Sequence, residues 1–225
     1  ASTVTEDVIS IGKIDLKQDA KVLGKVVSGE TVKLEKGATV GGTITERAKV
    51  VPLLEFYLPD LQLAFGGQKV TVGKTQTLSL SPGSYGALKA EQGATLKLSS
   101  GNYAFDEIAI EKDGRIHMDL TQGLIVIDVK EKVDLKDNVQ MTALVPAGGS
   151  AEDILVRVVG STVTLGKAGS YLGTFLAPNA NVTLEEGAQL NGALYGQKVD
   201  TKKGAVIDGA PAFDLLIWTV NPKAP

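Results

Sequence analysis

The chain has no cysteine among its 225 residues. Disulfides, thiolate nucleophiles and thiolate metal sites are excluded with it. The absence permits export without requiring it. There is one histidine, His117, so sites built on several imidazoles are excluded too, the three-histidine zinc site among them. Aromatic residues make up only 5%. A core must therefore come from Val, Ile, Leu and Ala in small layers. No run of about 18 apolar residues occurs, so no segment reads as a membrane-spanning helix. No signal peptide is visible. The opening Ala1-Ser2-Thr3, without Met, reads as a mature chain cut after small residues or as a chosen boundary. Charge of one sign is also lacking: 23 basic and 26 acidic residues are interleaved, for a net charge of −3. That leaves no basic footprint for nucleic acid or an anionic membrane.

What the chain has in excess is glycine, 26 residues against an average share of roughly 7%. The glycines sit inside a repeat. The phrases "EKGATVGGTI" (35–44), "EEGAQLNGAL" (185–194) and "KKGAVIDGAP" (202–211) share one form. Ile14, Leu16, Ala20, Val22, Gly24 and Val26 match Val32, Leu34, Ala38, Val40, Gly42 and Ile44 at an offset of 18. Leu78, Leu80, Gly83 and Tyr85 match Leu96, Leu98, Gly101 and Tyr103 at the same offset. Val163, Leu165, Gly173 and Phe175 match Val182, Leu184, Gly192 and Leu194 at 19. Val182, Gly187, Leu190 and Gly192 match Val199, Gly204, Ile207 and Gly209 at 17. A looser step of about 20 separates Leu88-Ala90 from Ile108-Ile110.

Within each unit apolar residues alternate, which signals strands. A unit this short cannot bury a core alone, but it can wind once around an axis and stack on its neighbour. The expected fold is therefore all-β: a single-stranded parallel β-helix with 17–20-residue coils, about nine to ten in number. Gly24, Gly37, Gly42, Gly83, Gly101, Gly173, Gly187, Gly192, Gly204 and Gly209 are expected at its corners, where positive φ or close approach favours glycine. Ala38, Ala188 and Ala205 follow just inside.

One domain is expected over 1–225. It has an opening strand (1–12), first coils (13–46), a non-repeat excursion (47–77), main coils (78–210) and a C-terminal cap (211–225). The excursion contains "VVPLLEFYLPDLQLAFGG", with Phe56, Tyr57 and Phe65 apart from the repeat, and its apolar side is expected to pack on the helix. Its two prolines limit any helix to a turn or two. The tail carries the sole Trp and is expected to cover an open end of the stack. Val8, Ile9, Ile11, Phe213, Leu215, Ile217 and Trp218 are the candidate assembly or cap residues.

Two phrases, "LSLSPGSYGALKAEQGATLKLSSGNYAFDEI" and "GTFLAPNANVTLEEGAQLNGALYGQKVDTKKGAV", resemble a bacterial surface-protein domain of the pilus-assembly-like and choice-of-anchor-A-like type. The match covers about 78–210. The coil length is similar, more loosely, to that of bactofilins, which are polymer-forming β-helices. The resemblance implies an exported or surface β-helix and transfers no catalytic residue.

Chemistry is sparse. His117 alternates with Ile116 and Met118, so it points outward as a solvated side chain. A hexapeptide acyltransferase is disfavoured because its hexads do not continue through 78–144. Asp106, Glu107, Glu111 and Asp113, then Asp128, Glu131, Asp134 and Asp137, gather as in calcium-dependent lyases. Lys130, Lys132 and Lys136 accompany them and make an exposed ion-pair ladder the better reading. Stacked Thr-x-Thr ranks of an ice face do not recur: Thr43-Thr45, Thr75-Thr77 and Thr162-Thr164 miss the coil spacing. "GGQKVTVGKT" lacks the spacing of a phosphate loop.

No catalytic, metal or cofactor residue is expected. The expected function is a non-enzymatic extracellular scaffold of the cell surface or matrix. It would self-assemble head-to-tail into a homo-oligomer or filament through "EDVISIG", by strand pairing. The alternative is a carbohydrate-binding or adhesive surface module, which predicts exposed aromatics on one flank. Tyr85 and Tyr103 are expected in register and facing the core.

Overall fold

The computed structural model describes residues 2–10, 12–49, 65–145 and 151–209. They are strands and corners, with one 3-10 turn at Ala151–Asp153. Every strand ladder among them is parallel. The parallel β-helix expected from the repeat is the observed fold. The register matches as well: Ile14 pairs with Val32, Val163 with Val182, Leu190 with Ile207 and Leu88 with Ile108.

Two middle coils are longer than the expected 17–20 residues. Ile108 pairs with Val133, an offset of 25, and Val133 with Val163, an offset of 30. In the first of these the extra residues lie mainly in the bend between Arg115–Asp119 and Ile125–Val129, which is why the period fades there. A smaller slip separates Tyr85 from Tyr103. The offset of 18 at Leu80/Leu98 becomes 20 at Gly83/Tyr103, so Tyr85 lies beside Phe105, with ring centroids 5.4 Å apart.

Each coil contributes to three walls. The first, termed here the open wall, is one continuous ladder: Thr77–Leu80, Thr95–Ser99, Arg115–Asp119, Gln140–Leu144, 170–172, 189–191, Val206–Asp208, Thr3–Val4, Lys21–Val22 and Thr39–Val40. The second, the covered wall, includes Gly101–Phe105, Ile125–Val129, Ile154–Val158 and 174–176. The third, the mixed wall, includes Val70–Val72, Leu88–Ala90, Ile108–Ile110, Lys132–Leu135, Thr162–Leu165 and 181–184.

The order along the axis differs from the order along the chain. Thr3–Val4 sits between Val206–Asp208 and Lys21–Val22. The first coils therefore stack on the last one. Residues 32–45 form one end of the stack, and 65–72, under Ser84 and Leu88, the other. The opening strand consequently lies inside the stack, not at an end. Val70–Val72 is already a coil strand within the expected 47–77 excursion. Residues 50–64, with the rest of that excursion, and 210–225, with the expected cap, lie outside the described residues.

Alternation fills the interior. Val70, Leu88, Ile108, Val133, Val163 and Val182 form one buried column, a layer of branched aliphatics about one strand spacing apart. The buried aromatics face this core too. The Tyr103 hydroxyl accepts the Ser99 amide (2.9 Å) and has the carbonyls of Ser99 (2.8 Å) and Leu80 (3.1 Å) within reach of its one hydrogen, so it is satisfied. Tyr171 donates to Gly166 at 3.1 Å.

One corner recurs with a left-handed residue in every coil: Thr75, Gly93, Asp113, Asn138, Ala168, Gly187, Gly204, Asp19 and Gly37, with φ between 52° and 80°. The amide of Gly187 donates to Lys203 O in the next coil at 3.0 Å, and that of Ala168 to Glu186 O at 3.0 Å. The turn thus hands its donor along the axis instead of leaving it unpaired. A small residue follows inside: Ala94, Ala188 and Ala205 are buried, and Ala38 is half-buried.

At the next corner Gly101, Gly173, Gly192 and Gly209 take φ of 99° to 144°, while Gly83, at 159°, is nearly extended. Gly24 and Gly42 do not have positive φ. They are small because backbones touch: a Cβ on Gly42 would lie 2.7 Å from the Gly24 carbonyl oxygen.

On the covered wall even the outward positions are buried: Ala104, Val126, Asp128, Leu155, Thr174 and Leu176 are at most 7% exposed. Asp128, 1% exposed, accepts two hydrogen bonds from Arg157, at 2.5 and 2.8 Å. This corrects the expectation that Asp128 belongs to an exposed ladder. Lys132–Glu107 (3.2 Å) and Lys136–Asp134 (2.8 Å) do form exposed pairs.

Three outcomes are expected. Asp128→Ala leaves Arg157 unpaired and should cost about 3–5 kcal/mol in denaturant unfolding. Ala168→Gly removes a left-handed Cβ and should add about 1 kcal/mol. Burial holds the Tyr103 and Tyr171 hydroxyls above the usual tyrosine value of 10.0. The unfolded chain ionises first, so their contribution is complete below pH 10 and is lost as pH rises beyond it. An alkaline titration should show unfolding and tyrosinate absorbance rising together.

Candidate binding face

The three walls present different outer surfaces. Along Ile125–Val129, Ile154–Val158 and 174–176 the covered wall is buried on both sides, as the near-continuous apolar strands "IVIDV" and "ILVRV" require. The mixed wall is exposed, but charge runs through its outward column: Thr71, Lys89, Ala109, Asp134, Thr164, Thr183 and Asp200 follow one another in register, and Asp15 pairs with Lys33 in the first coils. Its ion pairs are solvated and contribute little.

The open wall divides into zones. Toward one end it presents Lys97, Arg115, His117 and Asp119. His117 is exposed as expected, with Nδ1 2.5 Å from the Thr142 hydroxyl. Asp119 is held below the usual carboxylate range by the Thr121 hydroxyl and amide. Toward the other end lie Lys21 and the exposed Leu23.

Between these ends five consecutive strands carry almost no charge. Their outward residues are Gln140, Thr142 and Leu144, then Ser170 and Leu172, then Gln189 and Asn191, then Val206, then Thr3 and Thr5. The one carboxylate, Asp208, accepts a hydrogen bond from the Thr5 hydroxyl at 3.2 Å. Strands stacked 4.8 Å apart make this strip about 20 Å long.

Hydroxyls and amides lie on a rigid ladder with apolar side chains between them, and charges, which hold water tightly, stand at the borders. Thr3 and Thr5 make one Thr-x-Thr pair on the strip, but its other described strands carry none, so no stacked ranks form. Neither Tyr85, half-buried, nor Tyr103, fully buried, supplies a sugar-stacking flank. Among the described residues no group of three or more His, Cys, Asp or Glu gathers as a metal site.

The neutral strip was missed in the sequence because its strands come from 140–144, 170–191, 206–208 and 3–5. Reading outward positions in register would have shown it, but only once the first coils were known to follow the last.

Of the expected assembly residues, Val8 packs against the small core of the first coils, and Ile9 is 49% exposed on the covered wall's outer side. Ile11, Phe213, Leu215, Ile217 and Trp218 lie outside the described residues.

The class that these ladders define is the parallel β-helix, here with one wall covered and two exposed. Residues 7–207 match the ice-binding-like adhesive domain family, and the chain belongs to it. The resemblance to pilus-assembly-like and choice-of-anchor-A-like domains therefore holds only at the coarser level of a surface-type β-helix. Among curated proteins no sequence matches. An ice-binding protein of the Antarctic ascomycete Antarctomyces psychrotrophicus shares the fold, at 15% identity and a TM-score of 0.52 over 92% of each chain. An ice-binding protein of an Arctic yeast aligns at 18% identity over 93% of this chain and 90% of its own, with a TM-score of 0.45. A domain of ice-binding protein 1 of Shewanella frigidimarina aligns at 13% over 93% and 92%, with a TM-score of 0.31.

The walls should respond differently to one substitution. Thr142→Lys on the open wall should change stability by less than about 0.5 kcal/mol. Leu176→Lys on the covered wall should abolish cooperative unfolding, as read by circular dichroism.

Proposed function

We propose that this chain is a non-enzymatic adhesive domain that works outside the cell and grips an extended, uncharged, hydroxyl-bearing surface with its open wall. The observation that carries the reading is the five-strand neutral strip, rigidly spaced and bordered by charge. A ligand that is itself a lattice or polymer can meet many weak donors and acceptors at once, so affinity comes from multiplicity. Family membership and the shared fold support ice as one such surface; a crystalline or gel-like polysaccharide offers the same chemistry.

The test is adsorption of the purified domain to ice and, separately, to insoluble glycans. Leu172→Lys with Asn191→Lys should reduce adsorption at least about tenfold with an unchanged circular dichroism spectrum, while Lys89→Glu on the mixed wall should not. Freezing-point hysteresis with ice adsorption identifies ice; glycan retention alone identifies the polysaccharide. Binding that ignores the strip substitutions would sink the assignment of this wall.

One observation favours the second reading, a head-to-tail filament. At the 32–45 end Leu34 and Ile44 are 43% and 44% exposed, and their strands pair on one side only among the described residues. Light scattering should then show concentration-dependent growth that Ile44→Lys stops.

A further inference from the structure

Several exposed bases of this chain stand beside an acid. Lys17 pairs with Glu35, Lys132 with Glu107, Lys136 with Asp134 and Lys202 with Asp200, at 2.6 to 3.2 Å. The charged end of the open wall is different. Lys97 and Arg115 are exposed there, and neither makes an ion pair or a side-chain hydrogen bond among the described residues. His117 links them. It faces Lys97 across one strand spacing, about 4.8 Å, and follows Arg115 by two residues, about 6.6 Å, on the same strand. Its Nδ1 lies against the Thr142 hydroxyl, and its Nε2 makes no hydrogen bond among the described residues. The alternate residues Leu96, Leu98, Ile116 and Met118 are buried, so the three bases share the outer face.

Acids stand on both sides of this trio, but their oxygens are already engaged. Asp113 accepts from Asn138 Nδ2 at 2.8 Å and from Gln92 Nε2 at 3.2 Å. Those two bonds come before the nearby bases in holding it below the usual carboxylate range. Asp119 accepts the Thr121 hydroxyl at 2.6 Å and the Thr121 amide at 2.9 Å. Neither acid forms an ion pair with the trio. Two positive charges and an imidazole therefore stand without a protein counter-ion, in a frame of two carboxylates.

This arrangement selects its partner. A carboxylate can take a bidentate pair from the Arg115 guanidinium and a further donor from Lys97. Asp113 and Asp119 repel a ligand that carries negative charge along its whole length, such as double-stranded DNA with one charge per about 1.7 Å. An exposed strand face has no cavity in which to bury a small ion, so a ligand gains most by being extended. The hydroxyls of Ser79, Thr95 and Thr142 adjoin the trio in register and would meet neutral, hydroxyl-bearing units on either side of the acid. We infer that Lys97, Arg115 and His117 form a subsite for the isolated carboxylate of an acidic sugar within a largely neutral polysaccharide. The subsite stands whether the adjoining strip takes ice or a neutral glycan.

Retention of the full chain on carboxymethyl-cellulose of low substitution, against unmodified cellulose, tests it. The net charge of −3 opposes retention on an anionic matrix, so retention reports the local site. At low ionic strength the carboxymethylated form should hold the protein at least about tenfold more strongly, and added salt should erase the difference. Lys97→Gln with Arg115→Gln should abolish the preference with an unchanged circular dichroism spectrum. Lys89→Gln with Lys198→Gln removes the same charge from exposed positions of the mixed wall and should leave the preference intact. Equal retention on the two matrices would overturn the subsite. So would a preference that survives the open-wall pair of substitutions, or one that the mixed-wall pair removes as fully. Stronger retention on DNA-cellulose than on carymethylated cellulose would make dense phosphate the ligand and overturn the carboxylate assignment.

Discussion

The fold depends on the coil-to-coil backbone ladder. No coil can satisfy its own amides or bury its own side chains, because its strands, mostly two to five residues long, point in three directions. Alternate residues of a strand turn both amide and carbonyl toward opposite neighbours, so each coil is satisfied only by the coils on its two sides. The side chains inside the triangle follow: once backbones are fixed 4.8 Å apart, branched aliphatics of equal size must stack on one another. The buried Val and Leu columns and the left-handed corner that passes its amide to the next coil both result from this constraint.

The same constraint explains what could be read from the sequence. Columns of like residues leave an offset, so the pairs Val163/Val182 and Ile14/Val32 are legible in the sequence itself. Corners that need positive φ leave glycine, and Gly37, Gly187 and Gly204 could be placed. Asp19, Thr75, Asp113, Asn138 and Ala168 occupy the same corner but leave a weaker mark, because the ladder tolerates a left-handed Cβ at a cost of about 1–2 kcal/mol. Coils of 25 and 30 residues were blurred because extra length in a bend costs little.

What sequence order could not show is spatial order. Stacking two coils needs only matching columns, and Thr3–Val4 matches Val206–Ile207 as well as it matches Lys21–Val22. Offsets identify partners that are close in sequence. They are silent about a pairing between the two halves of the chain. The neutral strip of the open wall lies across that junction, and so it was invisible in the sequence for the same reason.

That junction also bears on how the molecule is made. The side chains of Thr5 and Asp208 meet across 203 positions of sequence. Of these coils, the strand synthesised first is among the last to find its place. Until the final coil exists, residues 3–34 have only each other to stack on, and their core of Ile14, Val22 and Val26 is small. Folding of this chain is thus closed from its far end by one long-range pairing, while the other ladders join strands 17–30 positions apart. A partly synthesised or partly translocated chain would display its open strand edges for the whole of that interval.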